Sequence, residues 1–238
     1  QRHALLVGLA GLGLFLLATM VHYLIATFDA ARAAERKGLE SQLLARDAEL
    51  RALRAQVDPH FLFNSLNSIS ALTAANPPAA RMMSLKLAEF LRLTMESGSA
   101  NAIPLEQEVS LALRYLDIEK VRFGARLQIR SSMDDDVRAC RIPPLLIQPL
   151  VENAVNHGIA HLLEGGPVSL SAARQGQLLV IAVENPVDPE SPVRRGNGRG
   201  LENVRQRIWK TYGTSAQVVV RHDPASWRVE LRLPLVEP

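Results

Sequence analysis

Three successive patterns of apolar positions divide this chain. Residues 4–28 form an apolar run without a charged residue, residues 30–123 repeat apolar positions at helical spacing, and residues 126–235 contain alternating segments. A period of about 3.6 residues indicates a helix, and a period of two indicates a half-buried strand. The patterns therefore predict a transmembrane helix, then a helical region, then a domain that mixes strands with helices.

The apolar run is long enough to cross a bilayer, since a membrane-spanning helix needs about 20 apolar residues. Arg32, Arg36 and Lys37 follow the run at once, and this charge bias places the remainder of the chain in the cytoplasm. We therefore expect residues 1–29 to be a transmembrane helix, with earlier spans before it because the sequence does not begin with methionine. A buried core helix is the alternative.

A coiled coil is predicted over residues 30–57. This segment contains no proline, and Leu43, Leu50 and Val57 recur every seven positions between charged flanks. Such a repeat is typical of a parallel two-stranded coiled coil, which would make the chain a homodimer. Arg46 lies on the companion seam and weakens the repeat, so a lone amphipathic helix is the alternative.

Residues 58–124 are predicted to hold three helices. The first continues to about Ala75, a stop and turn follow at residues 76–78, the second helix covers residues 80–96, and the third runs from Leu105 to Phe123. Helices joined by a short turn form an antiparallel hairpin, and hairpins from two chains would form a four-helix dimerisation bundle.

The last region, residues 125–238, is predicted to be an α+β two-layer sandwich. Helices are expected at about 145–157 and 200–211, and an antiparallel hairpin is expected on either side of residues 222–226. Strands that do not alternate strictly with helices are typical of this class. The strand positions are Leu127, Ile129, Val168, Leu170, Leu179, Ile181, Val183, Val218, Val220, Val229 and Leu231.

Composition excludes some functions. The net charge is only +3 and no dense basic run occurs, which argues against direct nucleic-acid binding. Cys140 is the single cysteine, so an internal disulfide is impossible and a reducing cytoplasm fits.

The first candidate site surrounds His60. His60, Asn64 and Asn67 recur at helical spacing and form a polar stripe on an otherwise apolar helix, directly after Asp58 and Pro59. Proline predicts a kink just before the histidine. A neutral imidazole is a nucleophile near pH 7, and Asn64 can orient a phosphoryl group or a water molecule. A histidine with phenylalanine neighbours can also be a simple core residue.

The second candidate site is the segment of residues 149–158. Asn153 stands in the middle of a predicted helix, where its amide oxygen can complete a Mg²⁺ shell. His157 and His161 are spaced to bind zinc, but no third ligand lies at a suitable spacing.

The third candidate site is glycine-rich. Gly196, Gly198 and Gly200 alternate before a predicted helix that includes Leu201, so the backbone can approach a phosphate closely. The segment matches neither a Walker A sequence nor a Rossmann fingerprint, and an ordinary loop is the alternative. The proline-rich residues 186–192 indicate a mobile lid.

Together and in this order, the three sites resemble the LytS/YehU-type sensor histidine kinases. Residues 58–64 resemble the phosphoacceptor box of that family, residues 148–158 its N box and residues 198–205 its glycine box, and residues 105–123 are also similar. The resemblance implies a Bergerat-type (GHKL-like) ATP-binding fold, a dimeric helical bundle, ATP and Mg²⁺ as ligands, and a bacterial inner membrane location with the catalytic part in the cytoplasm. It also implies a response regulator as partner, and the regulators of this family often carry a LytTR DNA-binding domain.

Residue roles follow from the same resemblance. His60 would be the phosphoacceptor, assisted by Asn64, and Asn153 would be the Mg²⁺ ligand. The residues implied in nucleotide binding are Asn153, Asn156, His157, Glu184, Asn185, Gly196, Gly198, Gly200 and Leu201.

Two departures from the family pattern stand out. Phe61 occupies the position after the phosphoacceptor, where many histidine kinases have an acid, so Asp58 or Glu152 would have to act as the base. Glu184 and Asn185 precede a proline where an Asp-Asn-Gly motif is usual, and strand alternation places Asn185 at the Asp position. An uncharged acceptor there predicts weaker ATP affinity.

The predicted function is a two-component sensor kinase that phosphorylates His60 from ATP and passes the phosphoryl group to an aspartate of a response regulator. The alternative is a kinase-inactive or phosphatase-type module that regulates a response regulator, through Asn64, without phosphorylating itself.

Overall fold

The structure, a computed structural model, describes residues 59–98, 100–188 and 199–235, and six single helical residues before them at positions 19, 20, 22, 23, 27 and 32. Apart from those six, the predicted transmembrane helix and coiled coil lie outside the described residues. None of the helices within these ranges is long and apolar enough to span a bilayer. The chain divides into two compact units, Gln1–Ala55 and Gln56–Pro238.

Three helices open the second unit: α1 covers Pro59–Ala75, α2 covers Pro77–Gly98 and α3 covers Leu105–Phe123. The bounds of α3 are those predicted from the sequence. Gly124 ends it with a φ of 59°, which suits glycine, and donates its N–H to the carbonyl of Lys120.

The predicted turn at residues 76–78 is shorter than expected. Only Asn76 lies between the two helices, and the prolines that follow it form the first turn of α2. The Asn76 side-chain oxygen accepts the N–H of Ala79 at 3.2 Å and so caps this helix. Proline is tolerated there because the first N–H groups of a helix have no intrahelical acceptor.

An aromatic cluster joins the three helices. Phe61 of α1 packs its ring 5.4 Å from Phe90 of α2 and 4.8 Å from Tyr115 of α3. All three side chains are buried. Aromatic pairs at such distances add to the energy of burial, so this cluster fixes α1 against α3.

The described residues contain seven strands in two sheets. β1 (Ile103–Pro104) pairs antiparallel with β3 (Arg141–Ile142). The larger sheet has the order β2-β4-β5-β7-β6 and is antiparallel except for the β2–β4 pair. Its strands are β2 (Leu127–Met133), β4 (Gly166–Gln175), β5 (Leu178–Pro186), β6 (Gln217–Asp223) and β7 (Ser226–Pro234).

The two faces of the larger sheet differ in polarity. On β5, Ile181 and Val183 point into the apolar core, opposite Leu231 and Val229 of β7. Glu184, the residue after Val183, lies on the other face, where it forms an ion pair with Arg228 of β7. Helices α3, α4 (Gln148–Asn153) and α5 (Arg199–Tyr212) contribute to the same core. The predicted α+β two-layer sandwich is confirmed.

The helix predicted at 145–157 differs from the observed structure. Leu145 has a φ of 57° and is not helical, so α4 begins at Gln148. A π-helical turn, Ala154–Gly158, and a 3₁₀ turn, Ile159–His161, follow. We call residues 148–161 the N segment. π turns are rare and often accompany functional sites.

Candidate functional site

His60 lies at the beginning of α1, with its ring exposed. The side-chain nitrogen of Asn64, one turn further on, lies 3.2 Å from both ring nitrogens. His60 is therefore not a core residue, and the predicted pairing with Asn64 is present. An exposed imidazole held by a neighbouring amide can accept a group from a second domain.

Phe61 explains why His60 faces outwards. The Phe61 side chain is only 3% exposed and fills the aromatic cluster with Phe90 and Tyr115. Successive residues of a helix point about 100° apart, so burial of one turns its neighbour away from the core. The departure from the usual acid at this position therefore serves packing.

The N segment brings three predicted polar residues together. Glu152, Asn153 and Asn156 are half-buried at the end of α4 and in the π turn. Gln148, which is buried, donates from Nε2 to Glu152 Oε1 at 2.8 Å. Carboxylate and amide oxygens are the ligands that Mg²⁺ prefers. This arrangement can hold a polar ligand or a hard divalent cation.

His157 and His161 also lie in the N segment. Partial burial of the His157 ring, and then the charge of His161, lower the pKa of His157, so its neutral form is favoured. No group of three His, Cys, Asp or Glu side chains within the described ranges is arranged to hold a metal ion.

Asn185 lies at the end of β5 against the N segment. It is 4% exposed, and its Nδ2 donates to the carbonyl of Pro186 at 2.9 Å. A β-carbon added to Gly158 would meet Asn185 Nδ2 at 2.2 Å. Asn185 therefore faces the N segment, as strand alternation predicted. Glu184 lies on the opposite face, where Arg228 donates to its carboxylate at 3.0 Å, and the fold does not bring it together with Asn185.

The glycine-rich segment is described only from Arg199. Gly200 lies at the beginning of α5, and a β-carbon added to it would lie 3.8 Å from Pro149 Cβ of α4. Leu201 is half-buried beside it. The fold thus brings the beginning of α5 to the N segment. Asp58, Gly196 and Gly198 lie outside the described residues.

Sequence reasoning did not find two charged residues that hold the N segment. Glu108 of α3 accepts the N–H of Leu145 on Oε2 at 2.9 Å and that of Ile147 on Oε1 at 2.8 Å. Burial raises the pKa of Glu108, and these N–H groups act in the opposite direction. At the other end, Arg126 donates to the carbonyls of Ile159 at 3.2 Å and Leu162 at 2.5 Å.

One signal for Glu108 is present in the sequence. Leu105, Val109, Ala112 and Leu116 form the buried face of α3 at helical spacing, and Glu108 falls on that face. A charge on an apolar face is rarely buried unless a partner satisfies it. The sequence does not reveal that partner, which lies 37 residues away.

Known histidine kinases are similar to this chain in sequence. Residues 48–127 match a family model described as histidine kinase. The sensor histidine kinase BtsS of Escherichia coli K12 is 36% identical over 188 residues, which cover 79% of this chain and 33% of that protein. The sensor histidine kinase/phosphatase LytS of Staphylococcus aureus Mu50 is 34% identical over 194 residues, which cover 74% of this chain and 32% of LytS.

A solved histidine kinase domain, from a blue-light activated kinase of Erythrobacter litoralis EL346, is similar with a TM-score of 0.44. It is 18% identical, and the match covers 79% of this chain and 94% of that domain. The chain spans about a third of the length of the curated relatives it matches.

Proposed function

We propose that this chain, which is similar to the sensor histidine kinases BtsS and LytS, phosphorylates His60 from ATP. The phosphoryl group would then pass to an aspartate of a response regulator. The observation that carries the proposal is the fold's separation of two parts. His60 is exposed on a helical hairpin, whereas the N segment and the beginning of α5 meet at Pro149 and Gly200.

The residues of the second part fit a nucleotide with Mg²⁺. Glu152, Asn153 and Asn156 offer hard oxygen ligands, and Asn153 is the proposed Mg²⁺ ligand. Bound Mg²⁺ would neutralise charge on the phosphates during transfer. The side chain of Asn185 packs closely against Gly158, which supports a surface for the nucleotide base at this end of β5.

The remaining nucleotide contacts are proposed on the motif alone. His157 and Leu201 flank the same region, and Gly196, Gly198 and Gly200 would hold phosphates through their backbone N–H groups. Glu184 points to the other face of the sheet, so a contact from it would have to come from its backbone.

The chemical step is an in-line displacement at the γ-phosphorus. A neutral ring nitrogen of His60 attacks, the nitrogen–phosphorus bond forms, the bond to the bridging oxygen breaks, and ADP leaves. Asn64 holds the ring in place. Phe61 is buried in the aromatic cluster and cannot accept a proton. Asp58 or Glu152 is therefore the proposed proton acceptor, unless the neutral imidazole needs none.

The dimer and the membrane belong to the same proposal. Phe63, Leu66, Met82 and Leu85 are large apolar side chains exposed on α1 and α2, which supports a four-helix bundle with a second chain. We propose the arrangement read from the sequence: a transmembrane helix at 1–29, a coiled coil at 30–57, dimerisation helices at 58–124 and an ATP-binding Bergerat-type domain at 125–238.

The partner is proposed to be a response regulator with a LytTR DNA-binding domain, met at the cytoplasmic side of the inner membrane. A second candidate function is a regulatory or phosphatase module that binds this partner without phosphorylating itself. Asn185 followed by Pro186, in place of Asp-Asn-Gly, favours that candidate because the uncharged amide is a weaker acceptor.

Incubation with labelled ATP and Mg²⁺ tests the proposal. We expect acid-labile label on the wild type and on His222→Gln, a control histidine exposed on β6, and no label on His60→Gln. Absence of label and of nucleotide binding at millimolar ATP in the wild type would support the second candidate instead.

A further inference from the structure

The turn that leads into helix α4 is held by a side chain of another helix, while the carbonyl of Ile147 accepts the N–H groups of Leu150 and Val151. The N–H groups at the start of a helix have no intrahelical acceptor and need one from elsewhere. Ile147 stands at the cap position, and its aliphatic side chain accepts no hydrogen bond. The carboxylate of Glu108, on α3, accepts the N–H groups of Leu145 and Ile147. The position of α4 is therefore set by another helix.

The backbone before α4 is shaped around this carboxylate. Leu145 keeps a φ of 57°, a left-handed conformation that is unfavourable for a non-glycine residue. Such a turn aims neighbouring N–H groups at one anion. Arg207 of α5 donates to the carbonyl of Pro144 in the same turn. The turn thus connects α3, α4 and α5.

We propose that Glu108 is a positioning residue for phosphorylation, holding α4 so that Glu152 and Asn153 keep a fixed relation to the beginning of α5. The inference rests on the proposed function, since it gives Glu108 a part in the nucleotide site. Helix α4 has only six residues, so the cap governs most of its length. A buried carboxylate is costly unless donors converge on it, and here the donors belong to the turn directly before the N segment.

Glu108→Gln tests this role, with Glu106→Gln as the matched control. The glutamine keeps the size of the side chain but turns an N–H₂ group toward one of the two backbone donors. Glu106 lies on the same helix, exposed, and pairs with Arg138 at 3.0 Å on the surface. We expect Glu108→Gln to weaken binding of a fluorescent ATP analogue with Mg²⁺ about tenfold and to speed hydrogen exchange in α4. Glu106→Gln should change neither.

Two further variants separate positioning from general stability. Val109→Ala removes two buried methyl groups from α3 and leaves the hydrogen bonds of Glu108 in place. If Glu108 acts only through stability, then Val109→Ala and Glu108→Gln should lose nucleotide affinity in proportion to their loss of melting temperature. We expect Val109→Ala to bind nucleotide normally and Glu108→Asp, which keeps the charge with a shorter reach, to lie between wild type and Glu108→Gln.

A small-molecule phosphoryl donor allows phosphorylation of His60 to be measured without bound nucleotide. Phosphoramidate should phosphorylate His60 equally in wild type and Glu108→Gln, because this donor does not need the nucleotide site. Equal nucleotide affinity and equal α4 exchange in the two proteins would overturn this inference alone. A wild type that binds no nucleotide and takes no label from ATP would overturn the proposed function and this inference with it.

Discussion

Gly158 and Asn185 are in direct contact at the point where the π turn meets the end of β5. Asn185 Nδ2 would lie 2.2 Å, and the carbonyl oxygen of Pro186 3.0 Å, from any β-carbon at position 158. Gly158 has a φ of −100°, which other residues also adopt, so the close approach alone requires glycine.

Gly158→Ala should therefore destabilise the protein by about 1–3 kcal/mol through overpacking. Urea unfolding followed by circular dichroism measures this. In the double variant Gly158→Ala/Asn185→Ala, the added methyl group meets a smaller side chain. The loss of unfolding free energy should therefore be less than the sum of the losses in the two single variants. Gly200→Ala is the control, because its nearest neighbour, Pro149 Cβ, lies 3.8 Å from the new β-carbon. Additive losses in the double variant would contradict the contact.

Phe61→Ala should lower the free energy of unfolding by about 3–5 kcal/mol, because it empties the centre of the aromatic cluster. Phe61→Asp, which restores the acid common at this position, should cost more because the carboxylate would be buried. Leu163→Ala, at a side chain that is 92% exposed, should stay within about 0.5 kcal/mol of wild type. Denaturant midpoints that match for Phe61→Ala and wild type would refute the role of the cluster.

Glu230, on the polar face of the larger sheet, should make the free energy of unfolding decrease at acidic pH. Burial raises the pKa of Glu230, but the hydrogen bond and charge of Arg232, with the charges of Arg228 and Arg221, outweigh it and leave the pKa below its ordinary value of 4.5. Arg232 Nε donates to Glu230 Oε1 at 2.7 Å. Because folding lowers the pKa of Glu230, its interactions with the arginines stabilise the folded state above the unfolded pKa. This stabilisation is lost as pH falls through the folded pKa.

Glu230→Gln should consequently be less stable than wild type at pH 7 by on the order of 1 kcal/mol. Between about pH 5 and pH 3 its free energy of unfolding should fall less than that of wild type. Thermal unfolding at a series of pH values measures both effects. Glu164→Gln, at an exposed position before β4, should follow the wild-type curve. Parallel curves for Glu230→Gln and wild type would rule out the ionic contribution.

Arg126→Gln should loosen the far end of the N segment. The guanidinium donates to the carbonyls of Ile159 and Leu162, and charged donors contribute about 1.5–3 kcal/mol each. We expect a loss of about 2 kcal/mol in unfolding free energy and faster hydrogen exchange between residues 159 and 165. Arg130→Gln, exposed on β2, is the control. Exchange as slow as in wild type would contradict the role of Arg126.

Local features were predictable from the sequence. Helix α3 was predicted with its observed bounds because its apolar spacing is regular and Gly124 ends it. The pair of His60 and Asn64 follows from helical spacing alone. The placement of Asn185 follows from strand alternation.

Features that depend on distant contacts were not predictable. The helix expected at 145–157 begins later because Leu145, whose N–H bonds to the remote Glu108, has a left-handed backbone with a φ of 57°. The turn expected at 76–78 was too long, because Asn76 caps α2 and leaves the prolines in positions that need no N–H. Neither the helical period nor the proline content of the sequence reveals the hydrogen bonds made by Glu108 and Asn76.

The parallel pairing of β2 with β4 also has a consequence for how the chain folds. Two parallel strands cannot be joined by a tight turn, and here the intervening chain includes the whole N segment. Closing that loop costs entropy before any strand contact repays it, which makes such pairings slow. During synthesis the segment with Asn153 must therefore wait until Gly166–Gln175 has left the ribosome, so this chain should acquire its helical hairpin early and its ligand-binding surface late.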